Sequence, residues 1–176
     1  MGYFPLLSIF LIFLISACTP GQQNTGQQST YFDLEGYFIK EAARLQQENP
    51  LILKTVGKND LKEEKRLHIK SWENELGLFL SSGINKSAWK DSYIEQQDSQ
   101  SIRYTALDSS LRTKKVIVQK DTAGTVKHIY IFNKTSNSLY SSAETLDYYP
   151  DSLYMINKRQ QVLLIGSNSF EITGRF

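Results

Sequence analysis

The chain has 176 residues, and 20 Lys and Arg against 18 Asp and Glu give it a formal net charge of +2. So small a net charge argues against a partner held mainly by electrostatics, and nucleic acid is such a partner. The single cysteine, Cys18, excludes a disulfide within the chain, so the fold must rest on its hydrophobic core.

The N-terminal segment has the pattern of an export signal. Residues 6–15 are almost all apolar, and the first charged side chain of the chain is that of Asp33. A helix that spans a bilayer needs about 20 such residues, whereas the apolar core of a secretory signal has about 7–15. The segment therefore predicts export rather than a membrane-spanning helix.

The tetrapeptide Ile15-Ser16-Ala17-Cys18 resembles the lipobox of bacterial lipoproteins. The resemblance implies a signal peptide at residues 1–17, cleavage before Cys18 and a lipid on that cysteine, which would anchor the protein to a membrane. Since Thr19 stands where Asp would favour the inner membrane, the resemblance implies the outer membrane of the cell envelope. In this respect the chain resembles uncharacterised small lipoproteins of Gram-negative bacteria.

Residues 18–30 are expected to carry the lipid and to form a flexible polar tether, because they contain no large apolar side chain. The remaining residues, 31–176, suit one domain. Within it, residues 31–48 predict a helix that ends before Pro50, and a second helix is expected from Ser71 to Gly83. Each predicted helix has its apolar residues on one face. They are Tyr31, Leu34, Phe38, Ala42 and Leu45 in the first helix, and Trp72, Leu76, Phe79 and Leu80 in the second.

Strands are expected elsewhere. Residues 51–56 predict a strand, whereas residues 61–69 suit either a strand or a helix. Later strands are expected at 92–97, 101–107, 113–120, 125–133, 138–148, 152–157, 161–165 and 169–176. In the last two strands the even-numbered apolar residues would lie on one face, toward one core; they are Val162, Leu164, Phe170, Ile172 and Phe176. The sequence thus predicts an α+β fold, with two helices from the N-terminal half packed on a mainly antiparallel, curved β-meander sheet.

The strand predicted at 125–133 is apolar on both faces, so we expect it to be central and covered on both sides. His128 shares one face with Tyr130 and Phe132, and these three residues are candidates for contact with a ligand. A buried imidazole there could act as a base. The alternative is a strand histidine whose hydrogen bonds are satisfied locally.

Motifs of catalysis are missing from the sequence. It has no HExxH, CxxC or G-x-S-x-G pattern and no phosphate loop, so no metal, cofactor or enzymatic activity is predicted. Tyr140, Tyr148, Tyr149 and Tyr154 suit recognition of a glycan or a protein, but equally suit β-strands.

Two turns carry another candidate modification. Asp121-Thr122-Ala123 and Asp151-Ser152-Leu153 resemble a short bacterial O-glycosylation acceptor, which implies glycans on Thr122 and Ser152.

The function predicted from sequence is that of a membrane-anchored envelope lipoprotein, a non-enzymatic binding or structural module. Its expected partners are the membrane, through the lipid, and an envelope protein, lipid or glycan. Two alternatives stay open. An apolar pocket would indicate a carrier of hydrophobic ligands, and a pocket with His128 beside an acid or nucleophile would indicate a hydrolase acting on envelope material.

Overall fold

The computed structural model describes residues 31–176. The helices are α1 (Leu34–Glu48), α2 (Trp72–Glu75) and α3 (Gly77–Leu80), with one 3-10 turn at Ser87–Trp89. The strands are β1 (Leu51–Lys58), β2 (Leu61–His68), β3 (Tyr93–Gln97), β4 (Ser101–Ala106), β5 (Thr113–Lys120), β6 (Val126–Ser136), β7 (Tyr140–Tyr149), β8 (Leu153–Val162) and β9 (Gly166–Arg175).

All nine strands form one antiparallel sheet in the order β2-β1-β9-β8-β7-β6-β5-β4-β3. From β3 to β9 every strand pairs with its neighbour in sequence, as a meander does. The N-terminal hairpin of β1 and β2 then adds to the far side of β9, so that Val56 lies opposite Ile172. The sheet is open, with β2 and β3 at its edges, and residues 61–68 are thereby shown to be a strand.

Helix α1 follows the predicted apolar stripe. Its buried residues are Leu34, Phe38, Ala42 and Leu45. Asp33 caps the first turn, where its carboxylate accepts a hydrogen bond from the Gly36 amide. Asn49 ends the helix in the left-handed conformation, directly before Pro50. The helix therefore begins at residue 34, three residues later than the sequence predicted.

The prediction of a single second helix is wrong. Two four-residue helices, α2 and α3, stand in its place, separated at Leu76. Ser71 is the N-cap, as expected, and its hydroxyl accepts a hydrogen bond from the Asn74 amide. Trp72 and Phe79 are fully buried, so the apolar pattern reports burial here but not helix continuity.

The boundary between the last two strands also differs from the prediction. The expected strand at 161–165 does not form, because β8 runs on to Val162 and residues 163–165 form the turn to β9. Leu164 was expected in the core, yet it is 98% exposed. A turn residue projects from the end of a hairpin, so strand parity does not apply to it.

The helices cover only one side of the sheet, which we call the helix face. There, Tyr148 on β7 and Tyr154 on β8 donate hydrogen bonds of 2.6 Å to Glu41 on α1 and Glu75 on α2. Burial, with the carboxylate next to each hydroxyl, raises the pKa of both tyrosines. These contacts fix both helices to the middle of the sheet.

The opposite side of the sheet, the open face, has no covering layer among residues 31–176. The expectation that β6 is covered on both sides is therefore wrong, although β6 does lie inside the sheet. About 52% of the described residues are in strands and 18% in helices, so the fold is mainly β, with helices packed on an antiparallel sheet. None of the helices described has the length and apolarity to cross a bilayer.

Candidate functional site on the open face

The candidate site is built from rows of side chains that cross the open face. Neighbouring antiparallel strands place paired residues on the same side, so strand register defines each row. One row joins Gln119, His128 and Tyr149. Further along the strands, a second row crosses five strands and consists of Phe132, Thr145, Asn157, Glu171 and Gly57. The first row contains the predicted histidine, and the second contains a cavity.

His128 is held on three sides. Its Nε2 lies 2.8 Å from the Asp147 carboxylate, and its Nδ1 lies 3.2 Å from Oε1 of Gln119. The Tyr149 ring stacks on the imidazole, with centroids 4.2 Å apart and planes 5° from parallel. Both ring nitrogens thus have a side-chain partner, as the alternative of a locally satisfied histidine requires.

Tyr130 lies between the two rows. Burial raises the pKa of its hydroxyl, and the Asp147 carboxylate on the neighbouring strand raises it further. The three predicted ligand-facing residues, His128, Tyr130 and Phe132, do share the open face, as the period of two along β6 requires. Only Phe132 lines the cavity.

The cavity is a groove of about 480 Å³ along the second row. A second hollow of about 390 Å³ adjoins it and shares Asn59, Ala143, Arg159 and Ser169 with it. Most of the lining residues carry an amide, hydroxyl or charged group, although apolar atoms supply as much of the lining surface as polar atoms do. The aromatic residues of the lining are Phe132 and Phe170. The two hollows together form a continuous groove of mixed polarity that ends toward the turns at residues 137–139 and 163–165.

The groove has an excess of positive charge. Glu171 is paired with Lys62 at 2.9 Å, which leaves its charge largely compensated. Arg159 and Lys134 are exposed and have no carboxylate partner among residues 31–176. A ligand with acidic groups would meet two uncompensated cations here.

The four late tyrosines do not form one patch. Tyr148 and Tyr154 are buried on the helix face, while Tyr149 lies on the open face against His128. Alternation along the strand separates Tyr148 from Tyr149, so their closeness in sequence does not bring them together. None of these four tyrosines lines the groove, whose aromatic residues are Phe132 and Phe170.

A buried ionic cluster was not predicted from the sequence. Glu144, on the helix face, accepts a 2.6 Å contact from Arg112 and lies 3.1 Å from Lys158. Burial raises the pKa of Glu144, but hydrogen bonds from Lys158 and Arg112 outweigh burial and hold the pKa below its usual value. The cluster joins the loop before β5 to the middle of the sheet, and the three residues are too far apart in sequence to give a local signal.

The remaining candidates lie away from the groove. Thr122 and Ser152 are exposed in the β5–β6 and β7–β8 turns, at the same end of the sheet. Cys18, the candidate lipidation site, is outside the described residues. Within residues 31–176, no group of three His, Cys, Asp or Glu side chains could hold a metal ion.

Comparisons with protein-family models, with curated proteins and with solved structures gave no match to this chain.

Proposed function

We propose that the protein is a membrane-anchored envelope lipoprotein whose open face binds an acidic glycan. The observation that carries the binding role is the groove, which side chains from five neighbouring strands line on a sheet face that no described helix covers. The anchor rests on the lipobox resemblance at residues 15–18. The outer membrane is the destination that Thr19 favours.

The chemistry of the groove supports a polar ligand. Phe132 offers a flat apolar surface on which a sugar ring can stack, and Asn157 offers amide groups for its hydroxyls. Arg159 and Lys134 can each pair with a carboxylate on the ligand. A carrier of hydrophobic ligands would need an enclosed apolar cavity, whereas the two hollows of the groove are open to solvent and have amide, hydroxyl and charged side chains in their lining.

The hydrolase alternative rests on the contact between His128 and Asp147. A histidine oriented by a carboxylate is a common part of catalytic sites. Here, however, the second ring nitrogen faces Gln119, and His128 does not line the groove. Binding is therefore the function that the geometry supports better.

Calorimetric titration of the detergent-solubilised full chain with soluble muramyl peptides, which carry carboxylates, tests the glycan proposal. We expect binding that Arg159→Ala weakens about tenfold, because a hydrogen bond to a charged group contributes about 1.5–3 kcal/mol. Arg103→Ala is the matched control, since Arg103 is also exposed on the sheet but lines neither hollow. Added salt should weaken the wild-type interaction.

Two outcomes would refute this role. One is equal affinity of Arg159→Ala and the wild type for muramyl peptides. The other is a wild-type affinity for a neutral cello-oligosaccharide that equals the wild-type affinity for muramyl peptides. Because Arg159 is exposed, its replacement should leave the unfolding midpoint unchanged, which separates a binding defect from a folding defect.

The anchor has its own test. Metabolic labelling with a palmitate analogue should label the wild type, and Cys18→Ala should abolish the label, since only a thiol forms the thioether that carries the lipid. Fractionation should find the wild type in the membrane. Equal labelling of both chains, or none in the wild type, would contradict the anchor.

A further inference from the structure

The ends of two adjacent hairpins form an exposed apolar surface, which we call the hairpin tip. It consists of Leu139 from the β6–β7 turn and Leu163, Leu164 and Ile165 from the β8–β9 turn. Their exposed fractions are 64%, 57%, 98% and 77%. The Leu163 amide donates a 2.9 Å hydrogen bond to the Leu139 carbonyl, so the two turns are joined side by side.

The backbone at the tip is unusual. Leu164 has φ of 69°, and the other described non-glycine residues with positive φ are two Asn and one Asp, the usual residues for that conformation. A branched aliphatic residue in this region is strained, and nothing in the folded domain covers its side chain. A strained position that also exposes a large apolar group indicates a role outside the core.

The charge around the tip has a definite pattern. No charged residue occurs between Lys134 and Glu144 or between Arg159 and Glu171, so the ends of both hairpins are uncharged. Of these four bounding charges, Glu144 and Glu171 are paired within the domain. Lys134 and Arg159 are exposed, and neither has an ion-pair partner among residues 31–176. The tip is thus an apolar end with two cations behind it.

We propose that the hairpin tip inserts into the surface of an anionic lipid bilayer and gives the domain a second hold on the membrane. Leu139, Leu163, Leu164 and Ile165 would enter the boundary between headgroups and acyl chains, while Lys134 and Arg159 would meet anionic headgroups. This inference rests on the proposed anchor only for the presence of a membrane nearby. The contacts themselves come from the tip.

A protein partner or a second copy could also cover an apolar patch, but a bilayer fits the observations better. The tip projects from the ends of two turns, and none of its four residues lines either hollow of the groove. A narrow apolar point backed by cations matches the layered polarity of a membrane surface. The tether predicted at residues 18–30 would also hold the domain close to that surface.

Depth-dependent quenching tests the insertion. In the lipidated full chain, Leu164→Cys supplies the one free thiol, because Cys18 is then blocked as a thioether. An environment-sensitive dye on residue 164 should be quenched by acyl-chain spin labels in vesicles of phosphatidylcholine and phosphatidylglycerol, and should be shielded from iodide. The same dye on Ala123→Cys, in an exposed turn at the opposite end of the sheet, should show the reverse.

A second variant measures the strength of insertion. Ile165→Asp should lower the insertion constant of the labelled tip at least about tenfold, because it removes apolar burial and adds a charge. Leu51→Asp is the matched control, since Leu51 is 54% exposed at the other end of the sheet, and it should leave insertion unchanged.

The outcomes distinguish the proposal for the hairpin tip from the proposal for the lipid anchor. If the palmitate label is present but iodide reaches residues 164 and 123 equally, the tip proposal is wrong and the anchor stands. If the label is absent, Cys18 is also a free thiol, so Leu164→Cys is then combined with Cys18→Ala; if spin-labelled lipid still quenches residue 164 in that chain, the anchor is wrong and the tip stands. If iodide protection develops without vesicles as the protein self-associates, the tip contacts a second copy and the membrane proposal is wrong.

Discussion

Replacement of Phe38 by alanine is expected to lower the free energy of unfolding by about 3–5 kcal/mol. Phe38 is fully buried in the first half of α1, where its ring packs on Phe79 and Tyr148 with centroids 4.9 and 5.2 Å away. Alanine would leave a cavity between the helix layer and the sheet. Because a domain of this size has a total stability of about 5–15 kcal/mol, the loss is a large part of the whole.

Urea unfolding followed by tryptophan fluorescence measures this effect as a lower midpoint with an unchanged slope. The matched control is Ile39→Ala, on the same helix. Ile39 is 54% exposed, so its replacement should change the free energy of unfolding by no more than about 0.5 kcal/mol. Equal losses at residues 38 and 39 would contradict the packing of α1 on the sheet.

Replacement of Gly174 by alanine is expected to destabilise the protein by about 1–3 kcal/mol. A methyl group at residue 174 would overlap Cε1 and Cζ of the Tyr154 ring. The ring has little freedom to move, because Trp72 and Phe176 pack against it and its hydroxyl is bonded to Glu75. The strand has little freedom either, since β9 pairs on both sides.

Gly57→Ala is the control for Gly174→Ala. Gly57 lies on the neighbouring strand β1, and a methyl group there would meet its nearest atoms at 3.5 Å, an ordinary contact. Its replacement should therefore leave the unfolding midpoint nearly unchanged. In a double-mutant cycle, Tyr154→Leu should relieve part of the cost of Gly174→Ala, and strictly additive losses would show that the ring is not the cause.

Local patterns were sufficient for several elements. The stripe of α1, the Asn49-Pro50 end and the hairpin turn at Gly124 were predictable, because each depends on residues close together in the chain. The succession of antiparallel strands was predictable for the same reason. The run at 161–165 was assigned wrongly because apolar side chains at a turn look like those of a buried strand.

The candidate site was predictable only in part. The shared face of His128, Tyr130 and Phe132 follows from alternation along one strand. The partners of His128 could not be predicted in this way, because Gln119 and Asp147 lie on neighbouring strands. The local sequence does not specify the register of those strands. The groove also needs the non-local pairing of β1 with β9, which brings Gly57 to the row that contains Glu171.

The sequence by itself determined the amphipathic helix and the antiparallel strands, because both depend on short stretches of chain; the anchor at Cys18 stays a prediction from a stretch equally short. Tertiary structure alone decided which face of the sheet the helices cover, how the groove is lined and where Leu164 projects. The physical reason is that alternation assigns side chains to two faces but does not say which face another layer will bury. That choice depends on contacts between distant residues, such as the hydrogen bonds from Tyr148 and Tyr154 to the helices.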